Sequence, residues 1–307
     1  MEACTVTILG AGAMGGLLAA KLSAVGSRVR MLTRNPDKAS GISRDGLVLE
    51  ENDGQITYAR VECATSAEGW APPDLLIVCV KSYDTAPAMQ AHAAHVGDET
   101  AVLTLQNGLG NVEALAEIIP ATQILVGVTT HGALTVAPGR VRHTGLGTIL
   151  LGETDGRRSE RASWIARLLD DAGLQAGVAD DPTRLLWEKL VINAAINPVT
   201  AMLRVRNGEI ATNPDARALA LAAASEAVDV ARALGVALDK GAMLDRVIQV
   251  AEATAANRSS MLADVESGRR TEIDAINGAV VREAARVGIE VSANVDLLRR
   301  IREMEQN

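Results

Sequence analysis

The sequence predicts an α/β domain with a parallel sheet in its first 180 residues, followed by an all-helical domain from residue 181 to residue 307. Two observations lead to this fold class. Apolar runs alternate with helical periods in the first part, as in βαβ units. Near residue 180 the strand signals stop, and only helical periods follow. A chain of 307 residues also exceeds most single hydrophobic cores, so two domains are expected.

A glycine-rich turn lies near the start of the chain. Thr5–Leu9 is a short β-branched run that predicts a buried strand, and the apolar period of a helix starts at Met14. Between them, Gly10, Gly12 and Gly15 have the G-x-G-x-x-G spacing. In this context the spacing is typical of a Rossmann-type dinucleotide-binding turn, whose helix N-terminus offers free N–H groups to the phosphates. The alternative is a tight strand–helix turn that binds nothing.

Composition narrows the class of protein. The formal net charge of −8 argues against a general nucleic-acid binder and against binding to anionic membranes. No apolar run reaches the ~18 residues of a membrane span, and no signal-peptide pattern is visible. Cys4, Cys63 and Cys79 lack C-x-x-C spacing, so neither a disulfide framework nor a metal site is expected. We therefore expect a cytoplasmic protein.

The second predicted strand, Arg28–Leu32, is followed by a basic residue. NAD-binding domains usually carry an acidic residue about 20 positions after the glycines, where it binds the ribose 2′-hydroxyl. Arg34 stands in that neighbourhood here, and its guanidinium would pair with a 2′-phosphate. We therefore expect NADP rather than NAD. The alternative is a solvated surface arginine.

The next segments extend the sheet. Residues 46–50 and 55–60 flank an Asn-Asp-Gly turn and predict an antiparallel hairpin. The continuous apolar run 75–80 predicts a central parallel strand. Lys81 follows this strand at its carboxyl end, the edge at which open α/β sheets bind ligands. A solvated strand end is the alternative reading of this lysine.

Three more strands are predicted before the boundary, at residues 101–105, 124–130 and 175–178. The first of them leads into Asn107, whose amide could bind a ribose or a carboxamide, or only hold the turn. Residues 131–153 contain Pro-Gly and Gly-Leu-Gly between β-rich pieces, which predicts an antiparallel edge. Residues 158–172 predict a helix. Helical periods then follow the boundary near residue 180, at 182–196, 215–234, 240–255, 259–267, 273–287 and 293–305.

The first helix after the boundary carries three polar side chains on one stripe. Lys189, Asn193 and Asn197 are spaced by four residues and therefore share a helix face among apolar neighbours. A lysine in such surroundings should have a lowered pKa, which suits a general acid near neutral pH. The alternative is a lysine that snorkels to the surface, with the asparagines capping the helix end.

A further polar cluster lies at residues 257–274. From residue type alone, Asn257 or the serines at 259 and 260 could cap a short helix, and Glu272 could open the next one. From the residues of this segment alone, capping roles are better supported than roles in a binding site.

Sequence blocks spread in order over nearly the whole chain resemble the ketopantoate reductase family, the 2-dehydropantoate 2-reductases. The blocks are GAGAMGG, CVKSYDT, LQNGLGN, GVTTHGA, PGRVRHTGLG, WEKLVINAAINPVTA and RSSMLADVESGRRTEIDAINGAVV. The resemblance implies an NADP-binding Rossmann domain over residues 1–180. Over residues 181–307 it implies a helical domain similar to the C-terminal domain of 6-phosphogluconate dehydrogenase, with the substrate in the cleft between the two. The implied reaction is NADPH-dependent reduction of a small 2-keto acid, 2-dehydropantoate, to pantoate in pantothenate biosynthesis.

The resemblance also implies roles for individual residues. Those that match cofactor-binding positions are Gly10, Gly12, Ala13, Met14, Gly15, Arg34, Lys81 and Asn107. Lys189 and Glu272 match catalytic positions. Those that match substrate-binding positions are Asn193, Asn197, Asn257 and Ser260. None of the four histidines matches the general acid.

Two alternatives stay open at this point. The first is a reductase of another 2-keto acid or an imine on the same scaffold. The second is a non-enzymatic NADPH sensor, which the joint presence of the lysine, the amides and the carboxylate disfavours. Nothing in the sequence excludes a homodimer.

Overall fold

A computed structural model describes residues 4–306 of the chain. The described chain divides into two compact units. The first contains the chain up to Gln106 together with Asn111–Pro182, and the second contains Asn107–Gly110 together with the chain from Thr183 onward. Over residues 4–306, no helix has the length and apolar character that crossing a bilayer requires.

The first unit is built on an eight-stranded sheet with the order β12-β11-β8-β7-β6-β1-β2-β5. The strands from β5 to β8 in this order are parallel, and β11 runs antiparallel to β8. The predicted parallel α/β class is confirmed. Strands are β1 Thr5–Leu9, β2 Arg28–Leu32, β3 Leu47–Glu50, β4 Ile56–Ala59, β5 Glu62–Ala64, β6 Leu75–Val78, β7 Ala101–Thr104, β8 Ile124–Thr129, β9 Gly132–Ala137, β10 Arg140–Gly145, β11 Ile149–Glu153 and β12 Ala176–Val178.

Helices connect these strands in the first unit and form the second unit. The first unit contains α1 Ala13–Ala24, α2 Pro36–Asp45, α3 Thr85–His92, α4 Asn111–Ala116 and α5 Glu160–Asp171. Over the described residues of the second unit, the regular elements are all helices, as predicted, and its core is mostly aliphatic with Trp187 among its members. Its helices are α6 Pro182–Leu203, α7 Glu209–Thr212, α8 Pro214–Ala233, α9 Lys240–Ala253, α10 Ser260–Glu266, α11 Asn277–Val287 and α12 Ser292–Gln306.

The glycine turn between β1 and α1 brings backbone segments into direct contact. Gly10 has a positive φ of 117°, and a Cβ at this residue would lie 2.8 Å from the carbonyl carbon of Cys79. A Cβ at Gly15 would lie 2.0 Å from the carbonyl oxygen of Gly10. In contrast, a Cβ at Gly12 would meet no heavy atom within 4 Å. Two of the three glycines are therefore required by the fold itself, whereas the third borders open space.

A second, four-stranded sheet with the order β4-β3-β10-β9 packs on α1. The predicted hairpin is present as β3 and β4, which pair antiparallel. The prediction of one antiparallel edge over residues 131–153 is only partly right. Of its three strands, β11 does pair antiparallel at the main sheet, but β9 and β10 belong to the second sheet, where β10 pairs parallel with β3.

A chain of buried and half-buried polar groups links α1, the second sheet and the loop before β12. Lys21 and Glu51 form an ion pair of 2.5 Å, and the other carboxylate oxygen of Glu51 lies 2.9 Å from Nδ1 of His143. His143 Nε2 and His131 Nδ1 are 3.0 Å apart, and His131 Nε2 donates to the Leu174 carbonyl at 2.9 Å. These contacts tie α1 and the second sheet to the loop before β12.

Helix α6 is longer than predicted. It continues through Pro198 to Leu203, so the expected end at residue 196 is wrong and the asparagines of this helix do not cap it. Several other boundaries differ from the predicted ones by a few residues. Strand β6 ends at Val78 rather than at residue 80, and α11 begins at Asn277 rather than at residue 273.

The glycine contacts lead to a prediction about stability. Gly15→Ala should lower the free energy of unfolding by about 3 kcal/mol, because its methyl group would overlap the Gly10 carbonyl. Gly12→Ala is the matched control, since its methyl group enters open space. Urea unfolding followed by circular dichroism measures both. Equal stability of the two variants would contradict the assignment of Gly15 as a packing contact.

Candidate active site

Three of the sequence-predicted cofactor residues lie at the carboxyl ends of adjacent strands. β1 lies between β2 and β6 in the sheet. The chain extends the sheet from β1 first on one side, through β2 and β5, and then on the other side, through β6 and β7. Gly10 follows β1, Arg34 follows β2, and Lys81 follows β6 at the start of a short 3₁₀ turn. Open α/β sheets bind ligands at this kind of switch point. The structure therefore brings these residues to the edge at which a dinucleotide would be expected.

The start of α1 provides groups that suit a phosphate. Ala13 and Met14 are the first two residues of the helix, and Gly12 precedes them in an extended conformation. The first N–H groups of a helix have no partner within the helix and lie at its positive end. The space beside Gly12 is open, and a side chain at residue 12 would occupy part of it. The helix N–H groups and this space together can accommodate an anion. These features fit a dinucleotide pyrophosphate.

Arg34 is exposed and paired with an acidic residue. Its side chain is 83% exposed, and Nη1 donates to the Asp84 carboxylate at 3.0 Å. Asp84 belongs to the turn that Lys81 opens. Such a surface ion pair contributes little to stability, so the guanidinium can exchange its carboxylate partner for another anion at small cost. Sequence reasoning did not find the pairing of Arg34 with Asp84, because the two lie on different strand-end loops.

In the second unit, α6 carries the predicted polar stripe. Because the helix is continuous past Pro198, Lys189, Asn193 and Asn197 keep their four-residue spacing. Lys189 and Asn193 are half-buried, and Asn197 is buried. The helix therefore displays an amine and two amides along one face.

Lys189 has an altered acidity. Desolvation by burial lowers its pKa from 10.5 to about 8, and the nearby carboxylate of Glu272 partly opposes this shift. Glu272 itself is buried, and Oε2 accepts a hydrogen bond from Asn107 Nδ2 at 3.3 Å. The lysine, the carboxylate and the amide therefore belong to one electrostatic cluster. An amine with this pKa is largely protonated at pH 7 and can release its proton, as a general acid must.

Asn107 lies in the second unit because its loop packs there. Leu109 N donates to the Ala275 carbonyl at 2.9 Å, and a Cβ at Gly108 would lie 2.3 Å from the same oxygen. This close contact places Asn107 beside Glu272, a neighbour that the sequence did not predict for a residue expected to contact the ribose.

Asn257 and Ser260 are exposed and lie just before and at the start of α10. The capping residue of this helix is Ser259, whose Oγ accepts from Leu262 N at 3.1 Å. Thr200 of α6 donates to the same Oγ at 2.7 Å. Ser260 is therefore not the cap, and its hydroxyl is not committed to that role. The Thr200–Ser259 bond, which the sequence did not reveal, ties this segment to α6.

Among residues 4–306, no group of histidine, cysteine or acidic side chains is arranged to hold a metal ion.

Comparison with known proteins assigns the chain to a family. The family model described as ketopantoate reductase PanE/ApbA matches residues 6–156, and the model of its C-terminal domain matches residues 181–305. A 2-dehydropantoate 2-reductase of Halobacterium salinarum is 39% identical over 279 residues, which cover 91% of each chain.

Two solved structures have closely similar folds. The 2-dehydropantoate 2-reductase from Geobacter metallireducens gives a TM-score of 0.92 at 32% identity, covering 97% of this chain and 99% of that chain. A D-mandelate dehydrogenase with NADH and anilino(oxo)acetate gives a TM-score of 0.93 at 24% identity, covering 98% of both chains, which shows a shared fold alone. Both halves of the sequence match one family model pair, and the identity to a curated relative extends over most of the chain, so this chain belongs to the ketopantoate reductase family.

Proposed function

We propose that this protein reduces 2-dehydropantoate to pantoate with NADPH, a reaction on the route to pantothenate. The observation that carries the proposal is the half-buried Lys189, with a pKa of about 8, in one cluster with the Glu272 carboxylate. Reduction of a ketone needs an acid for the developing alkoxide, and this lysine has the acidity for that role at neutral pH. The name of the curated relative supports the substrate. The three cysteines are free, which fits a reducing cytoplasm as the place of the reaction.

The side chains of this site have separable roles in the proposed reaction. A bound reduced nicotinamide supplies the hydride for C2 of the keto acid. Lys189 stabilises the oxygen that gains charge at C2 and donates a proton to it from Nζ. Glu272 orients the hydroxyl of the substrate. Ser260 and the amides of Asn193 and Asn197 bind the substrate, Ser260 at its carboxylate.

The remaining predicted residues complete the proposal. Asn257 joins Ser260 in substrate binding. The cofactor residues are Gly10, Gly12, Ala13, Met14, Gly15, Arg34, Lys81 and Asn107. Arg34 and Lys81 would hold the 2′-phosphate of NADPH, Asn107 would contact its ribose, and the start of α1 would hold the pyrophosphate.

The identity of the substrate has a specific alternative. One fold can host different substrates, so a reductase of another 2-keto acid is the second candidate. Steady-state oxidation of NADPH, followed at 340 nm with 2-dehydropantoate and a panel of other 2-keto acids, separates the two. If kcat/KM for 2-dehydropantoate is below that for other panel members, the proposed substrate is wrong, but the proposal of a 2-keto acid reductase stands.

Loss of the lysine should remove the acid. Lys189→Ala should lower kcat by ~10²–10⁴, the usual contribution of general acid catalysis. The Kd for NADPH, measured by fluorescence titration, should remain within about twofold, since the lysine has no proposed part in binding the 2′-phosphate or the pyrophosphate. Lys240→Ala is the matched control, because this lysine of the same unit pairs with Asp229 and has no proposed role. Near-wild-type turnover of a folded Lys189→Ala would remove the lysine from the mechanism.

The pKa of Lys189 also predicts the pH dependence. The acid form is the active one, and it is lost as pH rises through the pKa. We therefore expect kcat for reduction to be constant below neutral pH and to fall above about pH 8. A pH–rate profile between pH 6 and 10 measures this limb. A profile that stays flat up to pH 10 would contradict a lysine whose acidity is altered by burial.

The arginine after β2 should determine the choice of cofactor. Arg34→Asp should raise the Kd for NADPH by about 10²-fold, because the change removes a phosphate partner and adds a repelling charge. The Kd for NADH should change little. Arg44→Asp is the control, since Arg44 is a similarly exposed arginine of the first unit that pairs with Asp45. A wild type that binds NADH and NADPH equally well would refute the preference for NADP.

A further inference from the structure

Pro198 deprives one carbonyl of its backbone donor in the helix that carries the proposed acid. In an α-helix the N–H of each residue donates to the carbonyl four positions earlier, and proline has no N–H. Pro198 lies inside α6, so the carbonyl of Ala194 lacks its usual donor. Ala194 follows Asn193 directly and is fully buried. An unsatisfied buried carbonyl is costly, and a helix is weakest against bending at such a residue.

An amide from another helix takes the place of the missing donor. Nδ2 of Asn277 donates to the Ala194 carbonyl oxygen at 3.0 Å. The Asn277 side chain is fully buried, and it is the first residue of α11, five positions after Glu272. The bond therefore joins the Lys189 helix to the segment that presents the carboxylate of the same cluster.

Asn277 is itself held in place by a buried network. Its Nδ2 also donates to Asn294 Oδ1 at 3.0 Å. Asn294 Nδ2 donates in turn to the Ala223 carbonyl at 3.0 Å and to Glu226 at 2.8 Å. These residues lie on α8 and α12, so the amide is fixed from two further helices.

We propose that Asn277 is a positioning residue that substitutes for the N–H absent at Pro198 and thereby fixes the Lys189–Asn193 part of α6 relative to Glu272. The inference rests on the proposed reductase function, because it concerns the placement of the proposed acid. Without the bond, the part of α6 before Pro198 can bend, and Lys189 gains water.

The test combines changes at both ends of the bond. Asn277→Ala should lower kcat about 10²-fold, since small displacements of a catalytic group have effects of this size. The alkaline limb of kcat should move up by about one pH unit, because desolvation is the larger influence on Lys189 and would be relieved. Pro198→Ala supplies a backbone N–H to the same carbonyl. Added to Asn277→Ala, it should therefore recover at least about tenfold in kcat and return the limb toward pH 8.

A buried apolar change provides the control for stability alone. Val247→Ala removes a fully buried side chain on α9, a helix outside this network, and should lower Tm by several degrees without moving kcat or the limb. If Asn277→Ala behaves like Val247→Ala, the residue is only structural and the proposal is wrong. If Asn277→Ala fails to fold, the double variant decides. A double variant that folds and whose kcat falls at the same alkaline pH as in the wild type supports the proposal. A double variant that stays unfolded or inactive overturns it.

The readout also separates this inference from the proposed function. Turnover is measured with the 2-keto acid that the wild type reduces fastest, so a wrong substrate does not affect the comparison. A wild type that reduces no 2-keto acid overturns the reductase function and this inference with it. An active wild type with an unchanged limb in Asn277→Ala overturns this inference alone.

Discussion

Keeping an ammonium group half-buried in an apolar helix is costly, and the groups around Lys189 offset part of that cost. The carboxylate of Glu272 lies close enough to offset part of it. Asn107 donates to that carboxylate, so the anion also has a partner. The result is an amine that is a weaker base than in water but still holds its proton near neutral pH. The same balance that limits the cost of burial thus produces a proton donor.

Both candidate binding regions depend on an atom or group that glycine or proline lacks. At the turn after β1, the absence of a Cβ at Gly10 and Gly15 lets the strand, the helix and the loop at Cys79 approach one another. In α6, the absence of an N–H at Pro198 frees a carbonyl that Asn277 binds. In each case a segment remote in sequence completes the local geometry.

Local signals were sufficient for much of the fold. The strands Thr5–Leu9 and Arg28–Leu32 match their predicted bounds, because β-branched runs bounded by turn residues are informative on their own. The parallel pairing of β3 with β10 has no such signal, since it joins segments far apart in the chain. The same limit explains α6. Pro198 is a local stop signal, and the amide that permits the helix to continue comes from another helix.

The candidate site divides in a similar way. The spacing of Lys189, Asn193 and Asn197 was visible in the sequence because it follows from helix geometry. Glu272 came only from resemblance to a family, since nothing near it in sequence indicates that it lies close to Lys189. Residue type also could not decide which of two adjacent serines caps α10, because both can serve and only the backbone conformation selects Ser259.

The bond between Asn277 and Ala194 has a consequence for how the sequence of this protein can diverge. If the proline at 198 is replaced first, the new N–H satisfies the carbonyl, and the asparagine can then be exchanged at lower cost. If the asparagine changes first, a buried carbonyl is left without its donor. We therefore expect the two positions to covary among descendants of this chain, with replacement of the proline preceding replacement of the asparagine.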